Sequence, residues 1–421
     1  MVKNYFTEYD RTSSFGARYR VPLISRLYGE DEIAEVVDSL LCPEKITLNA
    51  PGNLKVEKFE KQFSDFLGVK NAIMVNSGSS ANLVAFFMLT NPAVKNKLCP
   101  GDEVIVPAVN WNTSITPLYV LGLKPVFVDV DLENFGMNIE QVKNAITPKT
   151  KAILVVHLLG FPVDMDSIME IACENNLYVV EDTCESPGAQ WNSRKAGSFG
   201  DISTISFYLS HHITTVEGGM LFTNNDELAE LGRIIRSQGV MRNVQSQEYK
   251  DVINSQHPTI DPRFLFANIG FNFRPTEMEG AFGVVQFKKF NSYLHDRIIN
   301  ASFWNSELSK FSEYLILPTT ASAKAKNSWF FYPVMLRDND RFTVKDITSF
   351  LENKGIETRP IMSGDFTRHP LFGMFDSRVA SELNNSQFIH NRGFIIGVHA
   401  GIKHEERKYV VSCFEDFFSN R

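Results

Sequence analysis

Two adjacent imidazoles, His211 and His212, stand in the run from Ser206 to Met220, with Gly218-Gly219 closing it. The run reads as a strand from Ile202 to Tyr208, a tight polar turn, and a second strand from Met220 to Thr223. Such a turn places side chains at a strand end, where α/β folds carry their chemistry. Imidazole is the side chain that moves protons near neutral pH. A second stretch, Asn76-Ser77-Gly78-Ser79-Ser80, follows the apolar strand Ala72–Val75 and opens a helix over Ala81–Leu89. Free amides and hydroxyls there point one way, and the helix dipole favours a negative group by about 0.3–1 kcal/mol. The blander reading of each is a pair of turn histidines without a role and a Ser-capped helix without a ligand.

The elements that must position these residues are legible as a pattern. Short apolar strands end at Val75, Pro107, Val130, Val156, Asp182 and Tyr208, and helical segments such as Ile139–Ala145 and Met165–Asn175 lie between them. Alternation of this kind means an α/β fold: a mostly parallel central sheet with helices on both faces. Residues 1–20 read as a loose arm and 21–290 as the large domain. From about Asn291 the chain changes to the strand Ser328–Leu336 and the helix Val344–Lys354, a smaller α+β domain over 291–421. The aromatic helix Val56–Leu67 is core-forming. His157 closes its strand as a structural histidine, Cys184 as a packed small side chain. The polar stretch 244–263 has no period and reads as a flap or a plain insertion.

With 421 residues, 43% hydrophobic and 22% charged, the chain is an ordinary globular protein. Its net charge of −7 gives no support to a nucleic-acid partner. No apolar run is long enough to span a membrane, and the polar N-terminus lacks a signal-peptide core, so a cytoplasmic location is expected. Five scattered cysteines form no CxC or CxxC pair. That speaks against a disulfide framework, a closed metal site and an iron–sulfur cluster, which needs clustered thiolates.

The stretch Ser206 to Met220 resembles the cofactor loop of the DegT-type sugar aminotransferases, fold-type-I enzymes that use pyridoxal 5′-phosphate (PLP). The likeness runs from about Arg20 to the C-terminus. The resemblance implies a fold-type-I PLP-dependent transferase. In that family a lysine between the serine strand and the Glu-Gly-Gly turn forms a Schiff base with PLP. Here the position is His211, which has no primary amine. The same replacement marks the 4-keto-6-deoxyhexose 3-dehydratase branch. The resemblance then implies that Gly78, Ser79 and Ser206 bind the cofactor phosphate. It implies that Trp111 stacks on the pyridine ring, Asp182 pairs with the ring nitrogen, and Glu185 lies near the ring oxygen. Asn272, in Gly270-Phe271-Asn272-Phe273-Arg274, reaches a partner subunit's cofactor, so a homodimer is expected. Arg242 and Arg359 are candidates for the substrate diphosphate, since guanidinium suits that geometry.

Without the lysine, PLP is held non-covalently and the useful form is the amine, pyridoxamine 5′-phosphate (PMP). His211 is then the expected base for C3 deoxygenation of a nucleotide-linked 4-keto-6-deoxyhexose, GDP-linked by closest likeness. L-glutamate restores the amine and ammonia is released. Other readings stay open: a CDP- or dTDP-sugar substrate, an aminotransferase using another lysine such as Lys195, and a non-catalytic relative.

Overall fold

The computed structural model describes residues 19–42, 46, 55–319 and 322–419; the expected N-terminal arm lies almost wholly outside them. Eight strands form the main sheet in the order β1-β9-β8-β5-β4-β2-β3-β14. They are β1 (Asn71–Val75), β2 (Glu103–Pro107), β3 (Lys124–Val128), β4 (Thr150–Val156), β5 (Tyr178–Asp182), β8 (Ile202–Ser206), β9 (Gly219–Thr223) and the edge strand β14 (Arg378–Val379). All run in one direction except β9, which lies antiparallel between β1 and β8. A ribbon of three two-residue strands, β6 (Gln190–Trp191), β7 (Arg194–Lys195) and β11 (Ala325–Lys326), lies apart from it.

The strands are apolar on both faces because both faces are covered. Val104, Val106, Leu154 and Val156 enter one buried cluster; their neighbours Ile105, Ile153 and Val155 enter another on the opposite face. Each buried side chain of this size contributes about 1.5–3 kcal/mol of transfer free energy. The helix Gly78–Leu89 is apolar nearly all round and buried along most of its length. Its start is set by Ser77, whose Oγ accepts from the Ser80 N–H at 3.0 Å. Asn138, Asp164 and Asn225 cap three other helices in the same way.

A 32-residue helix, Glu277–Leu308, opens on a capping box between Thr276 and Glu279. The division expected at 290/291 falls inside this helix, which runs on unbroken. Beyond it lies a four-stranded sheet in the order β10-β12-β15-β13: β10 (Leu315–Ile316), β12 (Tyr332–Leu336), β13 (Arg359–Pro360) and β15 (Gly393–Ile396). The stretch 244–263, read as aperiodic, carries the helix Gln247–Gln256, capped by Ser246 and with no buried residue. An exposed polar helix has no apolar stripe by which to recognise it. Among the described residues, no helix is long and apolar enough to cross a membrane.

Candidate active site at the carboxyl edge of the sheet

Parallel strands bring their carboxyl ends to one edge. Val75 and Ser206 both pair with Gly219, so the Ser77–Gly78 turn, the end of β8 and the start of β9 meet there. Contact is close: a Cβ on Gly78 would lie 2.5 Å from Ser206 Cβ, and one on Gly219 would lie 2.3 Å from the Ser77 carbonyl oxygen. Glycine is required at both positions by proximity. Ser80 donates to the Ser77 hydroxyl and Ala81 to the Ser77 carbonyl. The N–H groups of Gly78 and Ser79 are left outside the helix's own bonding. Ser79 is exposed, and Ser206 is buried with its hydroxyl accepting from the Tyr208 N–H at 3.2 Å. The result is a narrow cup of amides and hydroxyls suited to a phosphate.

Asp182 ends β5, the strand next to β8, and is 5% exposed. Oδ2 accepts from Asn82 Nδ2 at 2.8 Å and Ser114 Oγ at 2.7 Å, and Oδ1 accepts from the Cys184 N–H at 3.0 Å. Asn82 is held by Thr204 Oγ1 at 2.6 Å. All three donors to the carboxylate are neutral. A buried carboxylate with neutral partners favours a cationic N–H from a ligand. Trp111 begins the helix Asn112–Val120 beyond β2 and is 55% exposed, leaving a large apolar ring uncovered at this edge. Glu185 is buried, with Oε2 accepting from the Leu159 N–H at 2.7 Å. Burial, joined by the charge of Asp182, pushes its carboxyl up to about 8 against the pull of that N–H. Near neutral pH it is therefore a proton donor.

His211 lies on the loop between β8 and β9. Its ring stacks on Phe330 at 4.9 Å and 20°, and Nδ1 is enclosed without a partner in the protein. His212 is fully buried, and its Nε2 donates to the Ser328 carbonyl at 2.9 Å. Burial first, and the Arg297 guanidinium second, push His211 down to about 3 and His212 well below the ordinary imidazole value. Both are neutral at physiological pH. His157 is the structural histidine expected: Nδ1 accepts from the Val163 N–H, so Nε2 donates to Glu181 at 3.0 Å. Cys184 is half-buried beside Asp182, and its thiol is pushed up rather than activated.

The expected residues divide into two groups. Gly78 touches Ser206, the first turn of Ser79 carries Asn82 to Asp182, and Ser114 ties the Trp111 helix to the same carboxylate. Glu185 and His211 are joined through Leu159, Gly160 and the segment Ser328–Phe330. The other group is exposed, with its hydrogen bonds directed elsewhere. Arg242 donates to the Arg263 carbonyl at 3.3 Å; Arg359 bonds to Glu357 and the Thr358 carbonyl, both at 2.7 Å; Asn272 accepts from Arg274 at 3.1 Å. Sequence reasoning missed Asn82, Ser114, Phe330 and Arg297. Asn82 carried a signal, as an amide in an otherwise apolar helix one turn past Gly78. Arg297 carried none.

The fold and this edge together define an α/β, fold-type-I PLP-dependent transferase. The chain belongs to the DegT/DnrJ/EryC1/StrS aminotransferase family, which it matches over residues 29–415. It is 36% identical to the GDP-4-keto-6-deoxy-D-mannose 3-dehydratase of Yersinia pseudotuberculosis, over 90% of this chain and 94% of that one. It is 34% identical to the dTDP-4-dehydro-2,6-dideoxy-D-glucose 3-dehydratase of Saccharopolyspora spinosa, over 99% and 90%. A solved GDP-4-keto-6-deoxymannose-3-dehydratase with a trapped PLP-glutamate geminal diamine superposes with a TM-score of 0.83 at 33% identity, covering 93% of this chain and 99% of that one.

Proposed function

We propose that this protein is a PMP/PLP-dependent 3-dehydratase that removes the C3 hydroxyl of a nucleotide-linked 4-keto-6-deoxyhexose, GDP-4-keto-6-deoxy-D-mannose by preference. The second substrate is L-glutamate, and the co-products are 2-oxoglutarate and ammonia. The observation that carries the reading is the position of His211. It occupies the β8–β9 loop beside the Gly78–Ser206 cup, where family aminotransferases keep their lysine. The orphaned Asp182 charge and the glycine-only cup fit PLP and its amine form. When bound, the cofactor supplies an electron sink and an amine through which a hydroxyl beside a ketone can be expelled.

The protein's own residues supply the rest. The amides of Gly78 and Ser79 and the Ser206 hydroxyl hold the phosphate. Trp111 offers its face to the ring, Asp182 keeps the ring nitrogen protonated, and Glu185 donates to the ring oxygen. His211, neutral and half-buried, accepts a proton; once charged, it gives that proton to the departing C3 oxygen, which leaves as water. Arg242 and Arg359 are exposed guanidinium groups that exchange their present partners, the Arg263 carbonyl and Glu357, for a diphosphate. The active unit is a cytoplasmic homodimer, with exposed Asn272 reaching its partner's cofactor; Phe264, Phe266 and Ile269 nearby are also largely exposed. The Saccharopolyspora relative, matched over nearly the whole chain, favours a second reading in which the nucleotide is dTDP.

Incubation with PLP, L-glutamate and GDP-4-keto-6-deoxymannose tests this. The expected products are a 3,6-dideoxy-4-keto sugar, 2-oxoglutarate and ammonia in equal amounts. An amino sugar, or no turnover with either the GDP- or the dTDP-linked sugar, contradicts it.

A further inference from the structure

Arg297 projects from the long helix and is 2% exposed. Among the described residues no carboxylate pairs with it. Nη1 donates to the Trp329 carbonyl at 2.9 Å and the Phe330 carbonyl at 2.8 Å, and Nε has no partner in the protein. An unpaired buried guanidinium is costly, and burial lowers even its proton affinity, to about 9. A side chain serving only to tie two carbonyls would be a poor reason to bear that cost.

The segment it ties is unusual. Ser328 and Phe330 donate to the Gly160 and Leu159 carbonyls, each at 2.9 Å, while the Ser328 carbonyl accepts from His212. Trp329 and Leu159 both sit at positive φ, 58° and 54°. A Cβ on Gly160 would lie 2.4 Å from the Trp329 nitrogen. The clamp is thus fastened from three sides, and the Phe330 ring it presents lies nearly parallel to both imidazoles.

We propose that Arg297 is a positioning residue for His211, fixing through Phe330 the plane of its ring. This rests on the reading of His211 as the base. A ring held in one plane loses little entropy when it accepts a proton. Arg297 contacts neither cup nor Asp182 in this arrangement, so cofactor affinity lies outside its role.

The test uses the full-length protein with Arg297→Met, Arg297→Lys and Phe330→Leu. Steady-state kinetics on the holoenzyme reads kcat and KM. We expect Arg297→Met to lower kcat about tenfold or more with KM little changed. Arg297→Lys should recover part of kcat, and Phe330→Leu, which leaves the guanidinium in place, should lower kcat likewise. The double variant Arg297→Met/Phe330→Leu should lose no more than the larger single loss, because both side chains act through one ring. Wild-type kcat in either folded single variant, or losses that multiply in the double variant, overturns the proposal. Failure of the base reading is separate: it would show as dehydration surviving in His211→Asn, whatever the Arg297 variants do.

Discussion

The two sides of the carboxyl edge are built on opposite principles. On the Asp182 side the hydrogen bonds converge on one group: Asn82, Ser114 and the Cys184 amide all donate to one carboxylate, and Thr204 steadies Asn82, while the unpartnered Asn76 Oδ1 and Asn110 Oδ1 are acceptors at its margin. The Gly78–Ser206 cup beside it is packed to contact. On the His211 side, His211 Nδ1, His212 Nδ1, Arg297 Nε and Ser328 Oγ are buried without partners in the protein. Backbone strain gathers there too, with Leu159, Val216 and Trp329 at positive φ. On the function proposed above, the contrast separates holding from reacting. A side that binds gains from completed hydrogen bonds, which rigidify it. A side that must accept and release a proton needs groups left uncommitted, and its neighbours bear the cost.

The comparison breaks most sharply at His211. His211→Asn keeps size and polarity but not proton transfer, so kcat should fall by about two to four orders of magnitude while PLP affinity stays near wild type. Stopped assays and cofactor titration together read that split; loss of cofactor binding would mean that the two sides are not separable. Gly78→Ala tests the opposite side. Its methyl would press on Ser206 and cost about 1–3 kcal/mol of fit, a loss of about 5- to 150-fold in PLP affinity. At saturating cofactor, kcat should be largely restored.

A smaller effect sharpens the electrostatic half. His399 is buried, with Nε2 donating to the Pro22 carbonyl at 3.0 Å and Nδ1 accepting from the Gly401 N–H. Burial, with Arg297 adding to it, pushes this imidazole down to about 3. The folded value lies below the unfolded value of about 6.5. The unfolded chain therefore binds the extra proton, and stability present above pH 6.5 is lost as the pH falls. His399→Gln can still donate to Pro22 but does not titrate. Its Tm should decline less steeply than wild type between pH 6.5 and 4.5; equal slopes would place the acid sensitivity elsewhere.

Much of the holding side could be read in the residues. A Ser/Gly turn between strand and helix, an aspartate closing an apolar strand and a tryptophan opening a helix all carry local signals. The helices Ile139–Ala145 and Met165–Asn175 were legible to the residue because caps and apolar spacing agree there. The reacting side was legible only at His211. Phe330 and Arg297 reach it from 119 and 86 positions away, by folding of the long helix and of the strand approach to β12, and no spacing rule connects them. The long helix also hid its own length, since a helix joining two sheets lacks the single apolar face that marks a surface helix. The exposed helix Gln247–Gln256 escaped for the related reason that it has no fully buried residue, only Ile253 packing partly against a small cluster.

Whether vitamin B6 is held here without a covalent tether can be read directly. The purified protein, saturated with PLP, is treated with borohydride, digested and mass-mapped. The account predicts bound cofactor that leaves no pyridoxyl group on any lysine, Lys195 included; a pyridoxyl-lysine peptide in stoichiometric yield would contradict it.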